Sequence, residues 1–300
     1  MYKKNSSAKK KLLKSIIEPL NFASNALFAS ADFLTNLARY IHYYKVAHLE
    51  FKPRANDIFI VTYPRSGTTW LQMILYQLAT DGSMQIDHIA QKVPWFERLI
   101  HYRIWSAEDF ESMDSPRIFK SHLPVKEVPY GEMQYIYVVR NGCDVATSYF
   151  EFYCSHLGFK GDFDQFLKLF FSGQVQFGSW FEHVAGWKAR SETSSNVLFL
   201  SFEKLKNDFD GELDKIIKFA GFKISESRKS EIHKRCSFEF MKQHEDKFDH
   251  ITAQIWEKGY KSTSFIRQGK TGMGHARFSP DKLAIFKNKL KQFHIENLYP

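Results

Sequence analysis

The run Asp57-Ile-Phe-Ile-Val-Thr62 constrains this chain more than any other segment. It is short, apolar and β-branched, and it passes directly into Tyr63-Pro64-Arg65-Ser66-Gly67-Thr68-Thr69-Trp70. Behind that segment Leu71, Ile74, Leu75 and Leu78 recur at helical spacing. The succession reads as strand, tight loop, helix. Such a junction gathers backbone N–H groups around an anion at the helix N-terminus. Gly67 permits close backbone approach, Ser66, Thr68 and Thr69 add hydroxyl donors, and Arg65 adds a fixed charge. The bland alternative is an ordinary βα turn whose Ser and Thr act as caps. The loop is not a Walker A sequence. It lacks the second glycine and the Gly-Lys-Ser/Thr ending that would place a lysine and a magnesium ligand. A phosphate is expected here, and metal-dependent phosphoryl transfer by a P-loop nucleotide kinase is the weaker alternative.

Three more strand candidates follow: Arg117–Lys120, Tyr135–Val139 and Asn196–Leu200. The second runs into a helix expected to start near Asp144, which would cap it, and the third is followed by helical pattern through Phe219. Strands alternating with helices predict an α/β fold, a central parallel sheet flanked by helices. No repeat or low-complexity linker interrupts the chain, so residues 51–300 read as one domain. Residues 1–50 read as a basic tail followed by an amphipathic helical segment.

That N-terminal region holds part of the charge excess. The chain carries 42 Lys+Arg against 33 Asp+Glu, and Lys3, Lys4, Lys9, Lys10, Lys11 and Lys14 lie in its first fourteen residues. A net charge of +9 suits an anionic ligand, a nucleic acid or an acidic membrane without choosing between them. From Ser15 to Tyr44, Ile16, Leu20, Ala23, Leu27, Phe28, Leu34, Leu37 and Ile41 recur at helical spacing, interrupted near Pro19. One reading is a weak membrane-surface anchor. The other is a helix packed on the domain beneath a solvated tail. The sequence favours the packed helix, because Glu18, Asn21, Asn25 and Asp32 dilute the positive face. Cys143, Cys154 and Cys236 form no CxxC spacing, which argues against a disulfide framework or zinc site and for a reducing compartment. With no apolar run of about 18 residues and no secretory h-region, the expected address is cytoplasmic.

Two further elements bear on chemistry. Arg140 ends the Tyr135–Val139 strand, and Ser148 follows on the next helix, so both can face the crevice where open α/β sheets bind ligands. Lys120-Ser-His122-Leu-Pro124 ends the Arg117 strand. A histidine there, with an unperturbed pKa near 6.5, is placed for acid–base work, although a lone histidine is more often structural. The remaining histidines are scattered and suggest no metal.

Taken together these elements resemble the cytosolic sulfotransferase family, with its P-loop-like fold. The match spans about residues 57–279 and includes Thr62–Trp70, Val93-Pro-Trp-Phe-Glu97, Lys120–Pro124, Arg140–Tyr149, Gly178-Ser-Trp-Phe-Glu-His-Val184 and Arg267-Gln-Gly-Lys-Thr-Gly272. The resemblance implies transfer of a sulfuryl group from 3′-phosphoadenosine-5′-phosphosulfate to a hydroxyl or amine of a small, aromatic or apolar acceptor. It implies adenosine 3′,5′-bisphosphate as product, no metal and no nucleic-acid partner. By the same likeness Arg65, Ser66, Gly67, Thr68 and Thr69 would hold the 5′-phosphosulfate, and Trp70 would stack on the adenine. Phe202, Cys236 and Phe238 would complete the adenine pocket. Arg140, Ser148, Arg267 and Gly269, with Gln268 between them, would bind the 3′-phosphate. His122 would be the general base, Lys120 and Arg65 would stabilise developing charge, and Trp95 and Phe152 would wall the acceptor. The chain departs from the family pattern at Arg65 for lysine, Gln268 for lysine and Phe202 for tyrosine. At Gly272-Met-Gly-His275 the family's dimer signature is not recognisable, which leaves the oligomeric state open. A catalytically weak nucleotide-binding protein at a membrane surface is the alternative reading.

Overall fold

A computed structural model describes residues 15, 19–20, 27, 30–31, 33–248, 266 and 271–298. Four strands form one sheet: β1 (Ile58–Thr62), β2 (Ile118–Ser121), β3 (Gln134–Val139) and β4 (Val197–Ser201). Their order is β2-β1-β3-β4 and every pairing is parallel. Phe59 stands opposite Phe119 on one side and Tyr135 on the other, and Tyr137 stands opposite Phe199. Each expected strand is present, displaced by at most one residue at its ends.

Because side chains alternate along a strand, these sequences make a two-coloured sheet. One face carries Phe59, Val61, Phe119, Tyr135, Tyr137 and Phe199 and belongs to an aromatic core. The other carries Ile58, Ile60, Ile118, Ile136, Val138 and Leu200 and belongs to an aliphatic core. Both faces are buried, as parallel sheets require. Helix α1 (Thr68–Ala79) covers the aliphatic face with Leu71, Ile74, Leu75 and Leu78, beside the helices Phe209–Ala220 and Glu226–Arg235. Helices α2 (Gly142–His156) and α3 (Trp180–Thr193), with Phe163–Ser172 and Pro280–Gln292, cover the aromatic one. Phe51, Phe59, Phe96, Phe110 and Phe119 meet there with ring centroids 4.9–6.4 Å apart. Truncating one such ring costs about 3–5 kcal/mol.

Two local expectations are corrected. Asp144 does not cap α2. Asn141 does, its Oδ1 accepting from the N–H groups of Cys143 (3.0 Å) and Asp144 (3.3 Å). The Asp144 carboxylate instead accepts from Gly272 N (2.8 Å) and Gly274 N (2.6 Å), tying down the segment before the last helix. A carboxylate between two backbone donors is better satisfied than one at an exposed cap. The N-terminal helix packs on the domain only towards its C-terminal end: residues 33–38 are all exposed, whereas Arg39 lies over the Tyr102 ring and Tyr43, Val46, Ala47 and Phe51 root the segment in the aromatic core.

Candidate active site

The chemistry-bearing residues converge at the carboxyl ends of β1, β2 and β3. Arg65 and Gly67 in the loop after β1 both adopt positive φ, 70° and 96°. A Cβ at Gly67 would lie 2.6 Å from the Phe202 ring, so only glycine fits. The Ser66 hydroxyl is buried without a partner among the described residues. An orphaned hydroxyl in a strained loop, beside first-turn N–H groups that have no intrahelical acceptor, suits an anionic group. Thr68 Oγ1 lies 2.5 Å from Thr62 Oγ1, and Thr69 opens α1 beside it. The 5′ end of the expected donor therefore fits this loop. Trp70 donates from Nε1 to Cys236 O (2.8 Å), meets Phe202 edge-on at 5.5 Å and stacks on Phe209 at 5.9 Å. Trp70, Phe202 and Cys236 thus lie together, with Phe209 beside them. Phe238, partly exposed, opens the helix after Cys236.

Arg140 approaches from the end of β3. Its Nη1 donates to Arg65 O (3.0 Å), and its guanidinium lies 4.7 Å from the Phe202 ring. Ser148 on α2 accepts from Arg65 Nε (3.1 Å), so the loop after β1 and helix α2 touch. Arg267, Gln268 and Gly269 lie outside the described residues.

His122 sits where β2 ends. Its Nδ1 is 2.8 Å from Thr62 O. A carbonyl only accepts, so Nδ1 carries the hydrogen and Nε2 keeps its lone pair. His183 on α3 holds the backbone behind it. Its Nε2–H donates to His122 O (3.1 Å), while Tyr137 OH donates to its Nδ1 (2.9 Å). Glu97 fixes the other side, accepting on Oε1 from His122 N (2.7 Å) and Trp95 Nε1 (2.6 Å). Burial first, and then the Lys120 charge, hold His122 well below the usual histidine range, so the ring is neutral at pH 7. Burial lowers the Lys120 ammonium to about 8, against the opposing pull of Glu97. Its Nζ lies 4.0 Å over the Trp95 ring.

Aromatic rings close the space in front of His122. Trp95 meets it edge-on at 5.2 Å and Phe177 at 5.1 Å. Phe177 was not visible in the sequence. Its loop is pinned by three tyrosines: Tyr149 OH donates to Gln176 O, Tyr153 OH accepts from Gln176 N and Tyr63 OH donates to Gly178 O. Only the following Gly178 hints at a turn. Phe152 lies under the Arg65 guanidinium at 5.4 Å, one turn beyond Ser148. One turn further, His156 stacks on Phe152 at 4.6 Å.

The family model for the sulfotransferase domain matches residues 55–295. The chain belongs to the sulfotransferase family. It is 35% identical over 231 residues to sulfotransferase 1E1 of Homo sapiens, covering 74% of this chain and 78% of that one. A crystal structure of mouse sulfotransferase SULT7A1 complexed with PAP is similar at TM-score 0.60 and 26% identity, over 82% of this chain and 87% of that one. Retinol dehydratase in a complex with retinol and PAP shares the fold, at TM-score 0.73 and 20% identity over 85% of each chain. As a sulfotransferase, this chain has its Gly67 loop after β1 and its His122 imidazole after β2, on one edge of one sheet.

Proposed function

We propose that this sulfotransferase moves a sulfuryl group from 3′-phosphoadenosine-5′-phosphosulfate to a hydroxyl or amine of a small apolar acceptor, with His122 as general base. One observation carries the reading: Thr62 O fixes the Nδ1–H tautomer and leaves Nε2 as the acceptor between Trp95 and Phe177. The donor supplies the sulfuryl group. Arg65, Lys120 and the loop amides meet the charge that grows on the leaving phosphate and the transferring oxygens. Arg65 cannot donate a proton, and a phosphate leaving group needs charge stabilisation more than protonation. His122 Nε2 takes the acceptor's proton as it is held for attack. Arg140 and Ser148, with Arg267 and Gly269 near by in the family pattern, hold the 3′-phosphate.

The acceptor wall supports a finer statement. Ser148, Phe152 and His156 share one face of α2 at i, i+4 and i+8, and Arg65 touches the first two. Ser155 Oγ gives its hydrogen to Glu151 O (2.7 Å), so at 2.6 Å it accepts from His156 Nδ1–H. The buried His156 Nε2 is then an acceptor with no partner among the described residues. A flat acceptor with a second hydroxyl or amine at its far end would satisfy it.

The test is transfer of radiolabelled sulfuryl to a panel of phenols, alcohols and amines in excess chelator. Product is expected from aromatic acceptors, best from those with a distal donor, and His156→Phe should erase that preference. No product from any acceptor, with no affinity for adenosine 3′,5′-bisphosphate by calorimetry, would overturn the reading.

A further inference from the structure

Among the described residues, the N-terminal helix leaves its apolar side uncovered. Residues 33–45 are helical and run into the turn Val46–Glu50. The root is fixed: Tyr43 OH donates to Glu127 O (2.7 Å), and Phe51 packs among the phenylalanines of the core. Before the root, Phe33, Leu34, Leu37, Tyr40, Ile41 and Tyr44 fall within an arc of roughly 120° at helical periodicity. All six are exposed, Phe33 by 67% and Leu34 by 61%. Tyr43, the buried contact, lies on the other flank of the helix, so the stripe faces away from the domain. At its lower end the stripe passes through Tyr44, tilted against His48 at 4.6 Å, to the exposed Tyr130 ring, 5.3 Å from His48. An apolar surface this continuous marks a contact with something else.

Charge decides what covers it. Between residues 15 and 38 the only charged side chains are Glu18 and Asp32, whereas six lysines precede them within the first fourteen residues. A second copy paired along this helix would want charged residues flanking the seam. Here one edge ends on Tyr40, and the other meets Ala38 and a single cation, Lys45, already paired with Glu50 at 2.8 Å. Tyr and Phe along the edge of an apolar stripe, with a lysine cluster on the same segment, are instead the features of a helix lying in an anionic lipid interface.

We propose that residues 1–45 dock this enzyme on an anionic lipid surface. The stripe from Phe33 to Tyr44 enters the headgroup boundary, and the lysine cluster supplies the electrostatic attraction. The sheet and its site stay outside the bilayer, held through Tyr43 and Phe51.

The full chain should float with phosphatidylcholine vesicles that contain phosphatidylserine, and bind pure phosphatidylcholine vesicles at least roughly tenfold more weakly. Replacing Lys9, Lys10 and Lys11 together by alanine should weaken binding on the order of 100-fold. Leu34→Asp with Ile41→Asp should abolish flotation and leave the melting temperature unchanged, since neither side chain packs on the domain. Failure of the unmodified chain to float, or flotation of the aspartate variant equal to it, overturns the proposal. So does a concentration-dependent dimer in sedimentation equilibrium that the aspartate variant breaks while vesicles bind neither form, because the stripe then belongs to a second copy.

Discussion

The two ends of the sheet handle buried positive charge in opposite ways. At the amino end Arg117 is fully buried, and all five of its donors are taken. Nε and Nη2 hold Asp57 at 2.8 and 2.5 Å, Nη1 reaches Phe110 O and Glu111, and Nη2 also reaches Lys52 O. At the carboxyl end of the same strand Lys120 has no ion pair among the described residues, and its ammonium rests over an indole. Only Ile118 and Phe119 lie between the two cations. A charge taken from water costs several kcal/mol unless it is paired, so the amino end spends its partners on structure, while under the proposed mechanism the carboxyl end keeps a cation in reserve for a developing negative charge. Burial alone does not distinguish a structural charge from a functional one. The presence of a carboxylate partner does.

The largest expected effect that tests this contrast is on chemistry. His122→Ala should lower turnover by roughly 10³-fold while calorimetry finds unchanged affinity for adenosine 3′,5′-bisphosphate; unaltered turnover would remove the assigned base. At the other end, Asp57→Ala should cost about 3–5 kcal/mol of stability in denaturant unfolding, since it strands the Arg117 charge. Turnover per folded molecule should not change. Pairing Asp57→Leu with Arg117→Met should recover most of that loss, which a catalytic charge would never permit. Lys120→Met should then cost roughly 100-fold in turnover with little change in melting temperature.

The pH profile sharpens the same comparison. With Lys120 lowered to about 8, raising pH through that value removes its charge, so activity should fall on the alkaline side. Lys120→Arg should move that limb upward. The smallest effect concerns stability. Burial holds His183 at about 4, whereas in the unfolded chain it titrates near 6.5. Below that pH the unfolded state binds the extra proton, so stability should fall as pH drops from about 6.5 towards 4, by up to about 1.4 kcal/mol per unit for this group. Melting temperatures of His183→Gln across that range should show a shallower slope.

Much of this was readable in one dimension, for physical reasons. Alternation of Ile and Phe in β1, or of Tyr with Ile and Val in β3, is local, and so is the glycine that a loop packed against Phe202 demands. Those features determined four parallel strands, the tight loop after β1 and the positions of Arg65, Lys120, His122 and Arg140. Partnership is not local. Nothing near Asp57 says that it meets Arg117 sixty residues away, that Asp144 serves Gly272 and Gly274 in place of its own helix, or that Tyr63, Tyr149 and Tyr153 press Phe177 against His122. The exposure of the N-terminal stripe was likewise not legible: the diluted positive face favoured a packed helix, although an amphipathic pattern fits a projecting one too. The sequence alone determined which side chains could carry charge, stack or turn the chain. Tertiary structure decided which of them are left unpaired, because a hydrogen bond or ion pair depends on distances that only the packed sheet sets.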